Sequence, residues 1–296
     1  MIPALFTVLF FSLGAIFSGR SARYVGVHRT NCFRLCLACC FLGIWVYFFG
    51  SGLHHPATVW FLLSGVVGYG IGDTGYFMAL PRIGAQQTSL ITLCLSAVIA
   101  AIVEYLWLGT VLLPVQLISG VIIISGVVIV LTSRRRDVPY IQGRFGYFWG
   151  CVSALGQGGG VVLARKGFLV AESLGQPLDV GTAAFDRLLG GSVFAVIIFL
   201  VLRSIYGKEK TFVEASPQKK IVYVLLVALL GPVFGVSCFQ WALFSAPGGI
   251  VMAVVSMTPV AIIPFAYLIE GEKPGMRSLW GALVAVFGTI LLALVS

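Results

Sequence analysis

Leu13-Gly14-Ala15-Ile16-Phe17-Ser18-Gly19-Arg20-Ser21-Ala22-Arg23 and, 142 positions later, Leu155-Gly156-Gln157-Gly158-Gly159-Gly160-Val161-Val162-Leu163-Ala164-Arg165 open with the same Leu-Gly and close with the same Ala-Arg. Matches further along keep the same order. Arg34-Leu35 returns as Arg187-Leu188 at an offset of 153, and Ala79-Leu80 as Ala242-Leu243 at 163. Tyr105-Leu106 with Gly109 returns as Tyr267-Leu268 with Gly271, and Gly126 as Gly288, both at 162. Each match alone is weak in a chain rich in Leu, Gly and Ala. An ordered series with one lengthened connection in the second half reads as a duplication.

Around these pairs the sequence divides into ten apolar segments, over 2–18, 32–49, 58–80, 84–106, 112–131, 147–163, 182–202, 221–244, 250–269 and 279–295. The expected organisation is a first five-helix repeat over 1–133, a basic linker over 134–146 and a second five-helix repeat over 147–296. The first segment is read as an uncleaved span rather than a signal peptide, because no basic stretch precedes it. The weakest division separates the third segment from the fourth, where only Pro81-Arg82-Ile83 intervenes. Composition agrees with a chain in lipid: 59% hydrophobic and 10% charged over 296 residues, with mean hydropathy +1.04, where a soluble domain carries about 25% charge. Ten spans of about 20 residues use about 200 positions, which leaves short loops and no separate soluble domain. Five crossings are an odd number, so two such repeats in series lie upside down to one another. The expected fold is an all-α polytopic membrane protein of ten transmembrane helices in two inverted repeats, an organisation used by secondary transporters whose site lies between the halves.

Several short motifs then carry a resemblance. Each half has Ala-Leu near the end of its third span, a tight link into the fourth, and a Gly-containing connection into a Gly-containing fifth. Glu270-Gly271-Glu272-Lys273-Pro274 and the proline-bearing Ser256-Met257-Thr258-Pro259 add to the pattern, whereas Leu108-Gly109-Thr110 lacks the acid and Leu95-Ser96-Ala97 lacks the proline. The whole chain resembles the EamA-like branch of the drug/metabolite transporter superfamily. That resemblance implies a ten-helix transporter with a central cavity. It leaves the substrate open among amino acids, sugars, nucleotide sugars and cationic compounds.

Charge sets an orientation independently. Connections after the odd-numbered spans carry fifteen basic residues and the others only Arg165 and Lys166. The positive-inside rule then places the first group in the cytoplasm and both termini outside, against the usual description of the superfamily. The net charge of +9 is thereby a topology signal and a contact for anionic headgroups, and nucleic acid is not expected as a partner. Cys32, Cys36, Cys39 and Cys40 recur at helical spacing on the second span, yet His28, His54 and His55 all lie in connections. The thiols read as small packing groups. Neither a metal site nor a cofactor is expected.

Function is sought among intramembrane polar groups, since burying a charge in hydrocarbon is costly unless it is paired or hydrated. Asp73 stands in Gly68-Tyr69-Gly70-Ile71-Gly72-Asp73-Thr74-Gly75, about 10 Å inside the cytoplasmic end of its span, among glycines that allow close approach and loosen the helix. Two readings stand: a cavity-facing proton carrier or counter-ion for a cationic group, and a structural ion pair with Arg34. Gln157 before Gly158-Gly159-Gly160 reads either as a bend lining a polar cavity or as close packing. Tyr76, Gln240 and Trp241 complete the candidate binding set, and Arg34 with Arg187 the candidate ion-pair or gating set. For Arg187 the shared repeat position favours anchoring a helix end or binding headgroups, with Asp186 and Glu104 also toward the outer face. The expectation is a carrier for a small, amino-acid-like organic metabolite, working by alternating access and outward across a bacterial inner membrane, with a proton as one candidate coupling ion and no enzymatic activity. Its rivals are a membrane-embedded lipid-modifying enzyme and a channel. The sequence leaves the oligomeric state open.

Overall fold

The computed structural model describes residues 2–51, 55–132, 144–176, 178–207, 211, 213–270 and 275–295. Most of the basic linker and the Gly271-Glu272-Lys273-Pro274 link lie outside them. The described residues form twelve α-helices and two π-helical segments: α1 (Ile2–Val25), α2 (Val27–Phe49), α3 (Thr58–Gly65), a first π segment (Val66–Gly72), α4 (Asp73–Leu108), α5 (Pro114–Thr132), α6 (Arg144–Ser173), α7 (Val180–Tyr206), α8 (Pro217–Ala228), a second π segment (Leu229–Gly235), α9 (Val236–Ser245), α10 (Gly248–Val255), α11 (Thr258–Glu270) and α12 (Met276–Val295).

These elements make ten passes. The helical backbone continues through Pro81-Arg82-Ile83, where a tight turn between two spans was expected. The chain nevertheless turns back there. Tyr76 and Ser89 are thirteen residues apart, about 20 Å along a straight helix, yet their hydroxyls lie 2.9 Å from each other. The packing on α6 agrees. Gly75 abuts Ser153 and Gly68 abuts Gly160 on one arm, whereas Gly150 meets Ile91 and Gly158 meets Ile99 on the other. The two arms therefore run in opposite directions along the same helix. Pro81 has no backbone N–H to donate, and Arg82 donates to the Met78 carbonyl.

In the second half the matching hairpin is open at Ala246-Pro247, and the ninth pass breaks again between α10 and α11. Pro259 sits just inside α11, where a missing N–H costs nothing, and the Thr258 carbonyl is satisfied by the Ser12 hydroxyl at 3.1 Å. At the end of α4, Gly109 takes a left-handed φ of 69°, which is why a glycine closes that helix.

Six described helical stretches are long and apolar enough to cross a bilayer, with shorter apolar stretches in α5 and α12. Neither α6 nor the first arm of the hairpin is among them. These two, less apolar because they carry Gln157 and Asp73, pack on one another through glycines. A Cβ at Gly156 would lie 2.6 Å from the Gly72 Cα, and one at Gly160 2.9 Å from the Gly68 Cα. The triple glycine thus serves close packing. The α6 helix is unbroken across it.

The π segments reveal the duplication more sharply than any residue match. Val66–Gly72 and Leu229–Gly235 are 163 positions apart, the offset of the Ala-Leu pair. Gly68 and Gly72 in one correspond to Gly231 and Gly235 in the other. Each faces the opposite half: Gly156 of α6 lies against the first π segment, and its repeat mate Gly14 of α1 lies against Gly231 in the second. Exchange of partners between halves is what a two-fold relation between inverted repeats produces.

Candidate functional site

Five of the seven candidate residues, Arg34, Asp73, Gln157, Arg187 and Gln240, converge near the first π segment. Asp73 begins α4 directly after the widened turn, and its N–H bonds back to the Gly68 and Gly70 carbonyls. Arg34 of α2 forms an ion pair with its Oδ2. Gln157 Nε2 donates to its Oδ1 at 2.8 Å and to the Gly68 carbonyl at 3.2 Å. Asn31, one turn before Arg34, accepts from Nε and Nη2 of the guanidinium at 3.1 and 2.9 Å, and the Phe77 ring lies 5.3 Å away. The Asp73 carboxylate, 8% exposed, is thus satisfied on both oxygens. Such a pair is costly to break, because removing one partner leaves the other buried and uncompensated.

Arg187 approaches from the other direction and is wholly buried. Headgroup contact is therefore not its task. Its guanidinium stacks on Tyr69 at 4.6 Å and Phe239 at 5.2 Å, and Nη1 donates to Gln240 Oε1 at 3.1 Å. Asp186, one position earlier and about 100° round the helix, instead accepts from Thr58 at 2.7 Å. Among the described residues no carboxylate lies within ion-pair distance of Arg187, and its Nε and the Gln240 Nε2 have no partner. Burial of a cation costs several kcal/mol. Against this stand ring contacts worth about 2 kcal/mol when desolvated and one charged hydrogen bond of about 1.5–3 kcal/mol. The balance is close, and it leaves two donors unused.

The repeat shows what is missing. Arg34 and Arg187 are mates at an offset of 153, while Asp73 and Phe77 correspond at 163 to Val236 and Gln240. In the first half the arginine meets a carboxylate and a ring. In the second, Val236 stands where the carboxylate would be, and Gln240 where the ring would be.

The remaining candidates fall elsewhere. Tyr76 bonds Ser89 across the hairpin. Trp241, next to Gln240, is 51% exposed on the outside of the bundle. Glu104 is buried as a cap, accepting from the Gly248 and Gly249 N–H groups at 3.0 Å each, where a carboxylate complements the start of α10. Arg165 completes the same corner by donating to the Leu243 and Phe244 carbonyls at 2.7 and 3.0 Å, which end α9. On the second span, Cys39 receives a 3.5 Å contact from Ser192 and Cys40 faces outward. Sequence reasoning missed Tyr69 and Phe239. Their signal was position alone, one between the glycines of the first π segment and the other beside Gln240.

Tyr69, Asp73, Arg187 and Gln240 are all at most 8% exposed, so the polar centre is closed toward both ends of the bundle. No curated protein sequence matches the chain. A solved crystal structure of a protein, 14% identical, superimposes with a TM-score of 0.77 over 99% of this chain and 96% of that one, which shows a shared fold. The model of the EamA-like transporter family matches residues 1–132 and again 144–294, nearly the whole length. This integral, multi-pass membrane protein belongs to the EamA-like transporter family.

Proposed function

We propose that the protein is a secondary carrier moving a small organic metabolite by alternating access, outward across a bacterial inner membrane. The observation that carries the reading is the occluded polar centre between the inverted halves, bounded by the two corresponding π segments. Single π turns are uncommon and concentrate at functional sites, and irregular backbone at membrane depth is tolerated where it lines a site. The Arg34–Asp73–Gln157 cluster closes the centre on the side of the basic connections, and the aromatic contacts of Arg187 close it on the other. Rocking one repeat against the other would open each closure in turn.

Orientation belongs to the same proposal. At one end of the bundle Arg20 donates to the Tyr223 hydroxyl at 3.3 Å and Lys219 lies 5.5 Å from the Tyr24 ring. At the opposite end sit Glu104, Glu172, Asp179 and Asp186. The first end is cytoplasmic in this reading.

The test is counterflow in proteoliposomes holding the purified full chain. Preloaded vesicles screened against radiolabelled metabolites should show saturable, trans-stimulated uptake that is lost in Asp73→Asn. Product formation from lipid without uptake would support the lipid-modifying enzyme instead, and flux that neither saturates nor trans-stimulates would support the channel.

A further inference from the structure

We infer that Arg187 and Gln240 form a binding site for an organic carboxylate of single negative charge, the ligand's carboxylate standing where the second half of the repeat lacks one. The inference rests on the carrier reading and names the chemistry of its substrate. Three observations lead to it. Arg187 is fully buried, and among the described residues no carboxylate lies within ion-pair distance of it. Two buried donors on these contacting side chains, Arg187 Nε and Gln240 Nε2, are unsatisfied, and donors are what a carboxylate needs. The equivalent arginine in the first half does have its acid, Asp73, while Val236 occupies the corresponding position here.

A buried polar group without a partner is disfavoured, and a guanidinium presents paired donors that match two carboxylate oxygens. With Tyr69 and Phe239 stacked on Arg187, an incoming anion must approach the edge of the guanidinium, where Nε lies. The same rings give the site apolar walls for the body of the ligand. Gln240 Oε1 already holds Nη1, which fixes the amide so that its Nε2 is left as a donor. In the closed conformation the donors wait unfilled; the ligand enters when one of the two closures opens. A neutral sugar offers no charge for Arg187, and a cation would be repelled.

The experiment uses the full chain in detergent, with phenylpyruvate, its neutral amide and chloride as probes at equal ionic strength. Ligand binding to the folded state raises the melting temperature by mass action. Phenylpyruvate should give a saturable rise of several degrees, and the amide and chloride none. Arg187→Gln removes the cation but risks the fold, so Gln240→Glu is the decisive variant. It is isosteric, keeps the bond to Nη1 and supplies the missing carboxylate internally. It should melt at or above the parent and lose the phenylpyruvate response entirely. The inference is overturned if the amide or chloride stabilises as well as phenylpyruvate does, or if Gln240→Glu keeps the response. Counterflow of labelled phenylpyruvate separates this from the carrier reading. Binding abolished by Gln240→Glu without any counterflow would sink the carrier and leave the site standing; counterflow of other solutes with no phenylpyruvate response would do the reverse.

Discussion

At the scale of single residues, the two arginines behave oppositely, and the contrast can be measured. Asp73→Asn leaves Arg34 buried beside two neutral amides, and loss of one partner from a buried pair costs about 3–5 kcal/mol. Arg34→Gln leaves the carboxylate with Gln157 alone and should cost a similar amount. The double variant removes both charges and should recover much of the loss, read as a coupling between the melting temperatures of the four proteins in one detergent. Full additivity would show that the pair contributes nothing to the fold. The pairing of Asp73 with Arg34 was legible in the sequence because both lie at similar depth below the same face, and a charge in hydrocarbon demands a partner. The Arg187–Gln240 contact was not. Depth brings Gln240 and Trp241 equally close, and only the rotation of the helix, about 100° per residue, sends one inward and the other to the lipid. A nearly uniformly apolar helix carries no polar stripe from which to read that rotation.

At the scale of elements, glycine decides which helices touch. A Cβ on Gly65 would fall 1.8 Å from the Arg187 carbonyl oxygen, and one on Gly190 would fall 2.2 Å from the Leu62 carbonyl oxygen. Both obstacles are backbone and cannot rotate away. Gly65→Ala or Gly190→Ala should therefore separate α3 from α7 and lower both the yield of folded protein and the melting temperature, whereas Gly19→Ala, with open space around it, should be silent. The sequence could not distinguish a packing glycine from a loosening one, since absence of a Cβ permits either. Gly158-Gly159-Gly160 stayed helical, packed against Gly68 and Ile99, while Val66–Gly72 and Leu229–Gly235 widened into π turns, one of them without a proline. The entry of α7 supplies a further test. Asp179 caps it through the Thr182 N–H at 2.8 Å and ties it to α2 through the Ser51 N–H and hydroxyl at 2.9 and 2.8 Å. Burial pushes the Asp179 carboxyl up, but the Thr182 and Ser51 hydrogen bonds outweigh it and hold the group below the usual carboxylate range. A depressed folded-state value means that the stabilisation is present above the unfolded value near about 3.9 and is lost as pH falls through the folded one. Lowering the pH from 7 to 3 should thus reduce the melting temperature of the parent more than that of Asp179→Asn, which cannot titrate there.

At the scale of the whole molecule, duplication was legible because ordered pairs such as Arg34-Leu35 and Arg187-Leu188 survive where side chains between them have diverged. The exchange of partners between halves was not, because sequence order says nothing of which copy a helix packs against. Orientation is the property that a bundle of helices leaves to its charges. Arg23, Arg82, Arg144 and Lys219 belong to connections that, with Arg134, Arg135 and Arg136, carry fifteen cations, while the opposite connections carry two. Retaining basic residues on the cytoplasmic side sets topology when they sit in short loops near span ends, and every connection here is short. A periplasmically active reporter fused after Ser296 should therefore be active, and a cytoplasmically active one placed between Ser133 and Arg144 should be active as well. Moving the bias should move the protein: replacing Arg134, Arg135 and Arg136 with Gln, while adding three Lys after Ser296, should lower the activity of the C-terminal periplasmic reporter several-fold. Inactive periplasmic fusions on the parent chain, with strong cytoplasmic activity at the same terminus, would reverse the orientation and exchange the sides on which Arg34–Asp73 and Arg187 close the centre. The occluded site itself would be unaffected, because inserting the bundle the other way round leaves its internal packing unchanged.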